Sequence, residues 1–309
     1  MALKLGIYLN SQHPAGDDPA RRFAETLEQV RLVRSLGFDS IWAGEHHVTP
    51  GFHYFPLLPL LQRLAAETEG MAMGTNLVLL PLHNPVEIAE IGAFLDVITG
   101  GRFLLGVGLG YRTEEFAVFG VPMSERVSRL TEGIEIIRRL WTEETVTHKG
   151  RHWQLEEVGI LPRPLQQPRP PILVGSQVAA GIARAARIAD GWLVVPVPTV
   201  DEFAAQAAAF AAARAAAGLA ASPHICRLLE VSCAADEDAA IRRAAPYPWK
   251  NTRPISPGAF PASRSSPARR PRRSSVAWPR TASPSARPRR WWRRCCASIA
   301  PGSRTRPCG

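Results

Sequence analysis

Three short stretches of this 309-residue chain combine side chains that could do chemistry with glycines that would let a ligand approach. The first is Glu45-His46-His47, which follows the apolar run ending at Ala43. A histidine titrates near neutral pH, so an imidazole at a strand end can give or take a proton. Neighbouring strand residues face opposite sides, so His46 and His47 cannot share one role, and contiguous residues do not converge on a zinc ion. We therefore predict no metal site; the ordinary alternative is a pair of surface or core-edge histidines.

Glycines at alternate positions mark the second stretch, residues 106–110, which leads into Tyr111 and Arg112. This stretch lacks both the G-x-G-x-x-G spacing and the early βαβ position of a dinucleotide-binding fingerprint, so we exclude that function. Missing side chains on one strand face suit a flat ligand that lies against the backbone. They suit close packing of a helix equally well.

A predicted helix begins after the third stretch, Gly175-Ser176-Gln177. Free N–H groups and the helix dipole at such a start favour phosphate, whereas a more common role for a serine there is to cap the helix. Further along, Asp190-Gly191-Trp192 precedes another apolar run. The indole of Trp192 could lie beside a ring bound at the same edge.

The elements that must position these residues alternate between short apolar runs and amphipathic helices, which is typical of βα units on a parallel sheet. Strands are predicted near residues 3–9, 38–43, 71–80, 102–109, 171–175, 191–196 and 225–234. Such a series over about 245 residues predicts an α/β fold, a (β/α)8 TIM barrel that stops one strand short. A doubly wound sheet is the rival topology.

One insertion interrupts this alternation between Trp141 and Pro171. Apolar and polar residues alternate on both sides of the Lys149-Gly150 turn, which predicts a β-hairpin over residues 145–155. In a TIM barrel the chemistry takes place at the C-terminal ends of the strands, which is where all three stretches fall.

The composition changes sharply near residue 245. No Asp or Glu follows Asp238, while residues 246–309 hold 15 of the 37 Lys and Arg and 12 of the 28 Pro. Residues 1–245 therefore carry 22 basic and 27 acidic residues, a formal charge of −5 against +10 for the whole chain. We divide the chain into a barrel, residues 1–245, and an Arg/Pro/Ser-rich tail, residues 246–309, which is expected to be disordered.

The first residues read directly as a strand, without the charged region and cleavage site of a signal peptide. No apolar run is long enough to cross a bilayer, so we expect no membrane partner. The barrel segment contains two cysteines, Cys226 and Cys233, which fits a reducing compartment. We therefore expect a cytoplasmic protein.

In order and spacing, the strand ends resemble the bacterial-luciferase-like family of flavin-dependent monooxygenases over nearly all of residues 1–245. The motifs that carry the resemblance are Trp42 with Glu45-His46-His47, Gly74-Thr75 with Leu80-Pro81 and Asn84-Pro85, Gly100-Gly101-Arg102-Phe103 with residues 106–110, Glu114-Glu115-Phe116 with Phe119-Gly120, Pro170-Pro171 with residues 172–175, and Asp190-Gly191-Trp192. The resemblance implies a TIM barrel that holds reduced FMN at its mouth.

The activity implied by the resemblance is oxygenation of a small organic substrate with reduced FMN and O2, and His46 is implied as the catalytic acid or base. The implied cofactor-binding residues are Glu45, Asn76, Leu77, Gly108, Leu109, Tyr111, Arg126, Gly175, Ser176, Gln177 and Trp192. Family members often have a non-proline cis peptide bond in the third strand, which would fall at Asn76-Leu77. Small side chains at Gly108 and Leu109 depart from the luciferases themselves, so light emission is not expected.

Three other functions remain open. F420-dependent oxidoreductases share the barrel, although their second strand more often ends in Ser-Asp-His, which favours FMN for this chain. A non-catalytic flavin-binding barrel is the second alternative. A basic tail that binds nucleic acid is the third, although nothing in a flavin barrel requires one, and we expect no nucleic-acid partner. A separate flavin reductase and a homo-oligomer are the expected partners of the folded barrel.

The tail reads best as a segment translated in the wrong frame. The third base of each codon can be joined to the first two bases of the following codon, with G/C-rich codons chosen where the code is degenerate. Residues 278–296 can then be reread as AEDRFAVGTPEEVVEALLR. That string has the acids and the helical pattern which the tail lacks. A frameshift would replace the last helix and the closing strand, which would leave the first and seventh strands with unpaired edges. Such a loss could leave this chain inactive.

Overall fold

The computed structural model describes residues 3–194, 199–222 and 224–244. The strands are β1 (Gly6–Tyr8), β2 (Gln12–Pro14), β3 (Ser40–Ala43), β4 (Phe52–Tyr54), β5 (Ala72–Thr75), β6 (Phe103–Val107), β7 (Val146–Lys149), β8 (Gln154–Val158), β9 (Ile172–Gly175), β10 (Gly191–Val194) and β11 (His224–Arg227). The α-helices are α1 (Pro19–Ser35), α2 (Leu57–Leu64), α3 (Pro85–Ile98), α4 (Thr113–Val118), α5 (Arg126–Thr142), α6 (Ala179–Ile188), α7 (Val200–Ala216) and α8 (Glu237–Ala244).

A seven-stranded parallel sheet forms the wall of the fold, in the order β1-β3-β5-β6-β9-β10-β11. Each predicted strand is present, although most are shorter than predicted. The strand order in space follows the order in the chain, whereas a doubly wound sheet reverses its order at a switch point. The rival topology is therefore wrong, and the half-barrel wall confirms the TIM-barrel class. The tail and the predicted loss of an eighth strand lie outside the described residues.

Local sequence signals explain the helices that cover this wall. The side chain of Asn84 accepts the Val86 N–H at the start of α3, and Pro85 occupies the first turn. After α3, Gly100 adopts a φ of 64°, which glycine permits without strain. Helix α5 packs against α3, where the Trp141 indole donates to the Ala89 carbonyl at 2.8 Å.

Two small antiparallel sheets lie outside the wall. The predicted hairpin is present as β7 paired with β8, and it contacts α5 through Glu132, whose carboxylate accepts the N–H groups of His152 and Trp153. The second sheet pairs β2 with β4, which are separated in the chain by α1 and β3, and it was not predicted from the sequence. Its strands are three residues long and lie 38 positions apart in the chain, so they leave little local pattern.

The two edges of the wall are open among the described residues. There β1 pairs with β3 alone and β11 pairs with β10 alone. Leu5 and Ile225 are 47% and 39% exposed, while strands in the middle of the sheet are largely buried. Within the described residues, no helix combines the length and apolar character needed to span a bilayer.

Candidate active site

The mouth of the half-barrel is formed by the chain that continues past the carboxyl ends of the strands. Residues 44–47 follow β3 and cross this mouth, and the His46 side chain is 18% exposed. The side chains of His46 and His47 have different neighbours, as predicted: His46 contacts Glu115, and the His47 ring contacts Phe119. The His46 ring meets the rings of Tyr54 and Tyr111 edge-on, at centroid distances of 5.5 and 5.7 Å.

A buried carboxylate fixes the orientation of His46. Glu115, on α4, is fully buried, and its Oε1 atom lies 3.0 Å from His46 Nδ1. The same oxygen accepts the His47 N–H at 2.9 Å and a guanidinium N–H of Arg112 at 3.2 Å. From the sequence, Glu115 was identified only as part of a family motif, and no role was predicted for it. Its contact with His46 spans 69 residues, so no local pattern could reveal it.

The surroundings keep Glu115 ionised. Burial raises the pKa of its carboxyl group, but the hydrogen bonds from His46 and the His47 N–H, with the nearby Arg112 charge, outweigh burial and lower that pKa below its usual range. An ionised carboxylate can only accept hydrogen bonds, so His46 Nδ1 carries the proton in this contact. The other ring nitrogen, Nε2, is then the atom of neutral His46 that can accept a proton.

Two partly buried tyrosines extend this polar cluster. Tyr8, at the end of β1, lies beside Tyr54, at the end of β4, and Ser11 lies close to Tyr54. Burial raises the pKa of both phenols, most strongly that of Tyr54, so both stay protonated at neutral pH. Neither tyrosine was predicted from the sequence.

A second cluster, of ionisable side chains, lies beside the first and is formed by Glu45, His47 and His83. Glu45 Oε1 accepts the Leu79 N–H at 2.5 Å and lies 2.8 Å from His83 Nε2. Burial raises the pKa of Glu45, but the two imidazoles and the Leu79 N–H outweigh it and lower that pKa to about 2. Burial lowers the pKa of His83, but Glu45 outweighs burial and raises it.

A cavity of about 380 Å³ opens between the end of β3 and β4. Glu45, His46 and His47 line one side, and His53, Tyr54 and Leu57 line the other. This volume lies in the range of small-molecule sites. The cavity therefore places a ligand next to His46, with β4, which was not predicted as a strand, forming part of its wall.

The third and fourth strands of the sheet, β5 and β6, end in the predicted ring-binding residues. The peptide bond between Asn76 and Leu77 is cis, as the resemblance implied. The Leu77 side chain fills the space beside Gly108 and Gly175, where a Cβ atom at either glycine would touch it. A Cβ at Gly106 would meet the Thr75 carbonyl oxygen. These glycines therefore admit neighbouring protein atoms, and Leu77 and Leu109, both partly exposed, supply the apolar surface that remains.

Three of the predicted phosphate-binding residues, Gly175, Ser176 and Gln177, lie at the end of β9, and the fourth, Arg126, begins α5. β6 pairs with β9, so the chain after β6 runs beside Gly175, Ser176 and Gln177. The cap residue of α6 is Val178, which makes no side-chain hydrogen bond to the helix. Ser176 is therefore not the cap, and no side chain in the described part of the chain caps the first turn of α6.

Arg126 also contacts the end of β6. Its guanidinium donates to the Gly110 carbonyl oxygen at 3.1 Å and to Met123 Sδ at 3.4 Å, both through Nη1. Tyr111, 38% exposed, follows Gly110 and faces His46. The structure thus brings Tyr111 and Arg126 to the same strand end.

The expectation for Trp192 is wrong. Its side chain is fully buried and stacks against Phe203 and Phe210 of α7, so the indole faces the helix and not the mouth. The indole N–H donates to the Ser176 carbonyl oxygen at 2.9 Å. Trp192 therefore holds the loop that contains Ser176 and cannot stack on a ring in the mouth.

Comparison with known proteins agrees with this geometry. The family model described as luciferase-like monooxygenase matches residues 3–297. The chain belongs to the luciferase-like monooxygenase family. In this family the chain is similar in structure to the monooxygenase RslO1 from Streptomyces bottropensis, with a TM-score of 0.73, 30% identity, and coverage of 79% of this chain and 76% of that one. The oxygenating constituent of 3,6-diketocamphane monooxygenase from Pseudomonas putida, solved with FMN, has a TM-score of 0.68 at 20% identity, covers 79% and 71% of the two chains, and shows the fold alone.

Curated relatives of this luciferase-like protein include monooxygenases and an F420-dependent dehydrogenase. The 4-hydroxyprotoasukamycin monooxygenase of Streptomyces nodosus subsp. asukaensis is 32% identical over 66% of this chain and 57% of its own length. The oxygenase component of a flavin-dependent trigonelline monooxygenase from Acinetobacter baylyi is 32% identical over 50% and 43%. An F420-dependent glucose-6-phosphate dehydrogenase from Microbacterium testaceum is 36% identical over 55% and 52%. The chain spans about half the length of these curated relatives.

Proposed function

We propose that this luciferase-like protein is a flavin-dependent monooxygenase that uses reduced FMN and O2 to oxygenate a small organic substrate. The observation that carries the proposal is the contact between His46 Nδ1 and Glu115 at the wall of the cavity. Membership of the family and the flavin-dependent relative from Acinetobacter baylyi support it. A relative described as an oxygenase component also supports a separate reductase that supplies the reduced flavin.

The donors at the mouth fit a flavin phosphate at one end and an apolar ring at the other. Helix α6 starts without a capping side chain, next to Ser176 and Gln177, and such a helix start attracts phosphate. Arg126 would supply the matching positive charge. Leu77 and Leu109, with Asn76, Gly108 and Tyr111, would form the surface for the ring. The bound flavin would supply the two-electron redox chemistry with O2.

The residues of this chain would orient the ligands and move protons. Glu115 holds His46 in one orientation and keeps the proton on Nδ1, which leaves Nε2 to exchange a proton with a ligand in the cavity. Tyr54 and Tyr111 flank the His46 ring and restrict its motion. β4 lines this site on one side and would reduce access of water.

An F420-dependent oxidoreductase is the second candidate function. The 36% identity to an F420-dependent dehydrogenase over 55% of this chain favours it. The two cofactors differ in what happens to O2, because a monooxygenase incorporates one oxygen atom into the product. Hydride transfer from reduced F420 incorporates none.

The test is to supply the purified chain with reduced FMN or with reduced F420, at equal concentrations, and to offer a panel of small organic substrates under 18O-labelled O2. The proposal expects labelled product with reduced FMN, above the level of a no-protein control. Turnover with reduced F420 and none with reduced FMN would overturn it. Binding of FMN, followed by fluorescence, separates loss of chemistry from loss of the cofactor site.

A further inference from the structure

The cluster of Glu45, His47 and His83 contains the donor set of a metal site. Its three ligand atoms, one from each residue, all lie within 4.8 Å of one another. The sequence argument against a metal concerned neighbours in the chain, and it holds for His46 and His47. Glu45 and His47 are two positions apart in the segment after β3, and the structure brings both side chains together with His83, which follows β5.

An ion pair between Glu45 and His83 explains only part of this cluster. The 2.8 Å contact of Glu45 Oε1 with His83 Nε2 and the Leu79 N–H satisfy one carboxylate oxygen. His47 Nε2 is buried and has no hydrogen-bond partner among the described residues, and it lies 3.8 Å from Glu45 Oε2, beyond hydrogen-bond range. A buried polar atom without a partner is uncommon and indicates a bound water or ion.

The distances suit a shared ion. Zinc binds imidazole nitrogen and carboxylate oxygen at about 2.0 to 2.2 Å, so two ligands of one ion lie about 3 to 4 Å apart. His83 Nε2 lies 2.8 Å from Glu45 Oε1, and His47 Nε2 lies 3.8 Å from Glu45 Oε2. Both distances are close to that span. The Leu79 N–H orients the carboxylate, as outer hydrogen bonds do in metal sites.

We propose that Glu45, His47 and His83 bind one divalent first-row transition metal ion, with Zn²⁺ as the representative ion. Two imidazoles and one carboxylate are a donor set that such ions prefer, and three protein ligands leave a coordination position open. The side chains are 5%, 26% and 16% exposed, so the cluster is shielded yet reachable. Glu45 and His47 also line the cavity, which gives the open position a route to solvent and to ligands. The metal site does not depend on the proposed flavin chemistry.

The experiment uses the full chain, stripped with a chelator and dialysed, and titrates it with Zn²⁺ in a calorimeter. We expect saturable binding of one ion per chain, weakened at least ten-fold in His47→Gln and in His83→Gln. The matched control is His148→Gln, because His148 lies 3.2 Å from the carboxylate of Glu132 in a similar pair that lacks a third donor. That variant should bind Zn²⁺ as the unmodified chain does.

Circular dichroism checks that each variant folds. If either ligand variant unfolds, the visible spectrum of Co²⁺ bound to the unmodified chain replaces it, since four- or five-coordinate Co²⁺ absorbs far more strongly than the hydrated ion. Absence of saturable binding, equal affinity in the variants, equal weakening by His148→Gln, or a hydrated Co²⁺ spectrum would each overturn the proposal. A bound water at His47 is the explanation that those results would favour.

Discussion

His46 and Glu115 are 69 positions apart in the chain, yet the Nδ1 atom of one lies 3.0 Å from a carboxylate oxygen of the other. The end of β3 supplies the histidine and the short helix α4 supplies the acid. Because Glu115 is fully buried, its carboxylate has no solvent to compete with this contact. The pair therefore gives His46 a defined orientation and protonation pattern before any ligand binds.

This pair predicts different effects for two substitutions. His46→Ala removes the group that exchanges a proton, so product formation should fall by about 10²- to 10⁴-fold while FMN affinity is retained. Glu115→Gln keeps the imidazole but removes the ionised acceptor that holds the proton on Nδ1, so kcat should fall less and its pH profile should shift. Steady-state kinetics with a flavin-binding titration measure both. Unchanged product yield in His46→Ala would remove His46 from the mechanism.

Arg112 is expected to stabilise the fold more than an exposed arginine does. Its side chain is 2% exposed beside Glu115, and it also donates to the His47 carbonyl oxygen at 2.7 Å. Arg112→Met leaves the buried carboxylate without its cation, which should lower the free energy of unfolding by about 3 to 5 kcal/mol.

The matched control is Arg21→Met, because Arg21 is 75% exposed and pairs with Glu25 on the surface of α1. That change should cost less than about 1 kcal/mol. Urea denaturation followed by circular dichroism measures both values. Similar losses in the two variants would contradict the role of burial.

Asp190 predicts a loss of stability in acid. Burial raises the pKa of its carboxyl group, but the hydrogen bonds from Arg169 and the Ile172 N–H outweigh it and lower that pKa below 3.8. The folded state thus binds fewer protons than the unfolded chain. The stabilisation is fully present above the unfolded pKa and is lost as the pH falls through the folded pKa.

Unfolding of the unmodified chain and of Asp190→Asn by urea, from about pH 6 to about pH 2, tests this sign. The variant should be less stable at the higher pH, and the difference should shrink in acid. A difference that stays constant across the range would show that Asp190 does not titrate in this manner.

The sequence predicted most of the wall and less of the site. Apolar runs and helix punctuation located every strand of the sheet, and Asn84 and Pro85 marked the start of α3. Neither the β2–β4 sheet nor the role of Glu115 could be predicted from the sequence, since both depend on contacts between distant segments. Trp192 was placed on the wrong side because a strand buried on both faces has no polar alternation to orient it. Glycines near Leu77 had the same ambiguity, since close protein atoms and a ligand require the same absence of a side chain.

The reading frame of residues 246–309 is open to a direct test. The family match extends to residue 297, which favours an in-frame tail, whereas the absence of acids after Asp238 favours a shifted one. We expect resequencing of the gene to find an insertion or deletion near codon 245. A confirmed frame without one would refute the frameshift.

The open edges of the wall predict how a restored frame would change behaviour. A chain with the frame corrected should elute as one discrete species, because a closing strand would pair with β1 and β11. Residues 1–245 alone should self-associate through those edges. Size-exclusion chromatography with light scattering compares the two, and equal monodispersity would contradict a barrel that lacks its last strand.

The order of the strands bears on how this protein is made. Each strand of the wall lies next to the wall strand synthesised before it, from β1 to β11. β2, β4, β7 and β8 pair outside the wall and do not interrupt this order. The wall can therefore form progressively as the chain leaves the ribosome, without waiting for distant partners. β3 and α4, which supply His46 and Glu115, emerge within the first half of translation. An error confined to the last segment would therefore affect a chain in which the segments that carry His46 and Glu115 had already been synthesised.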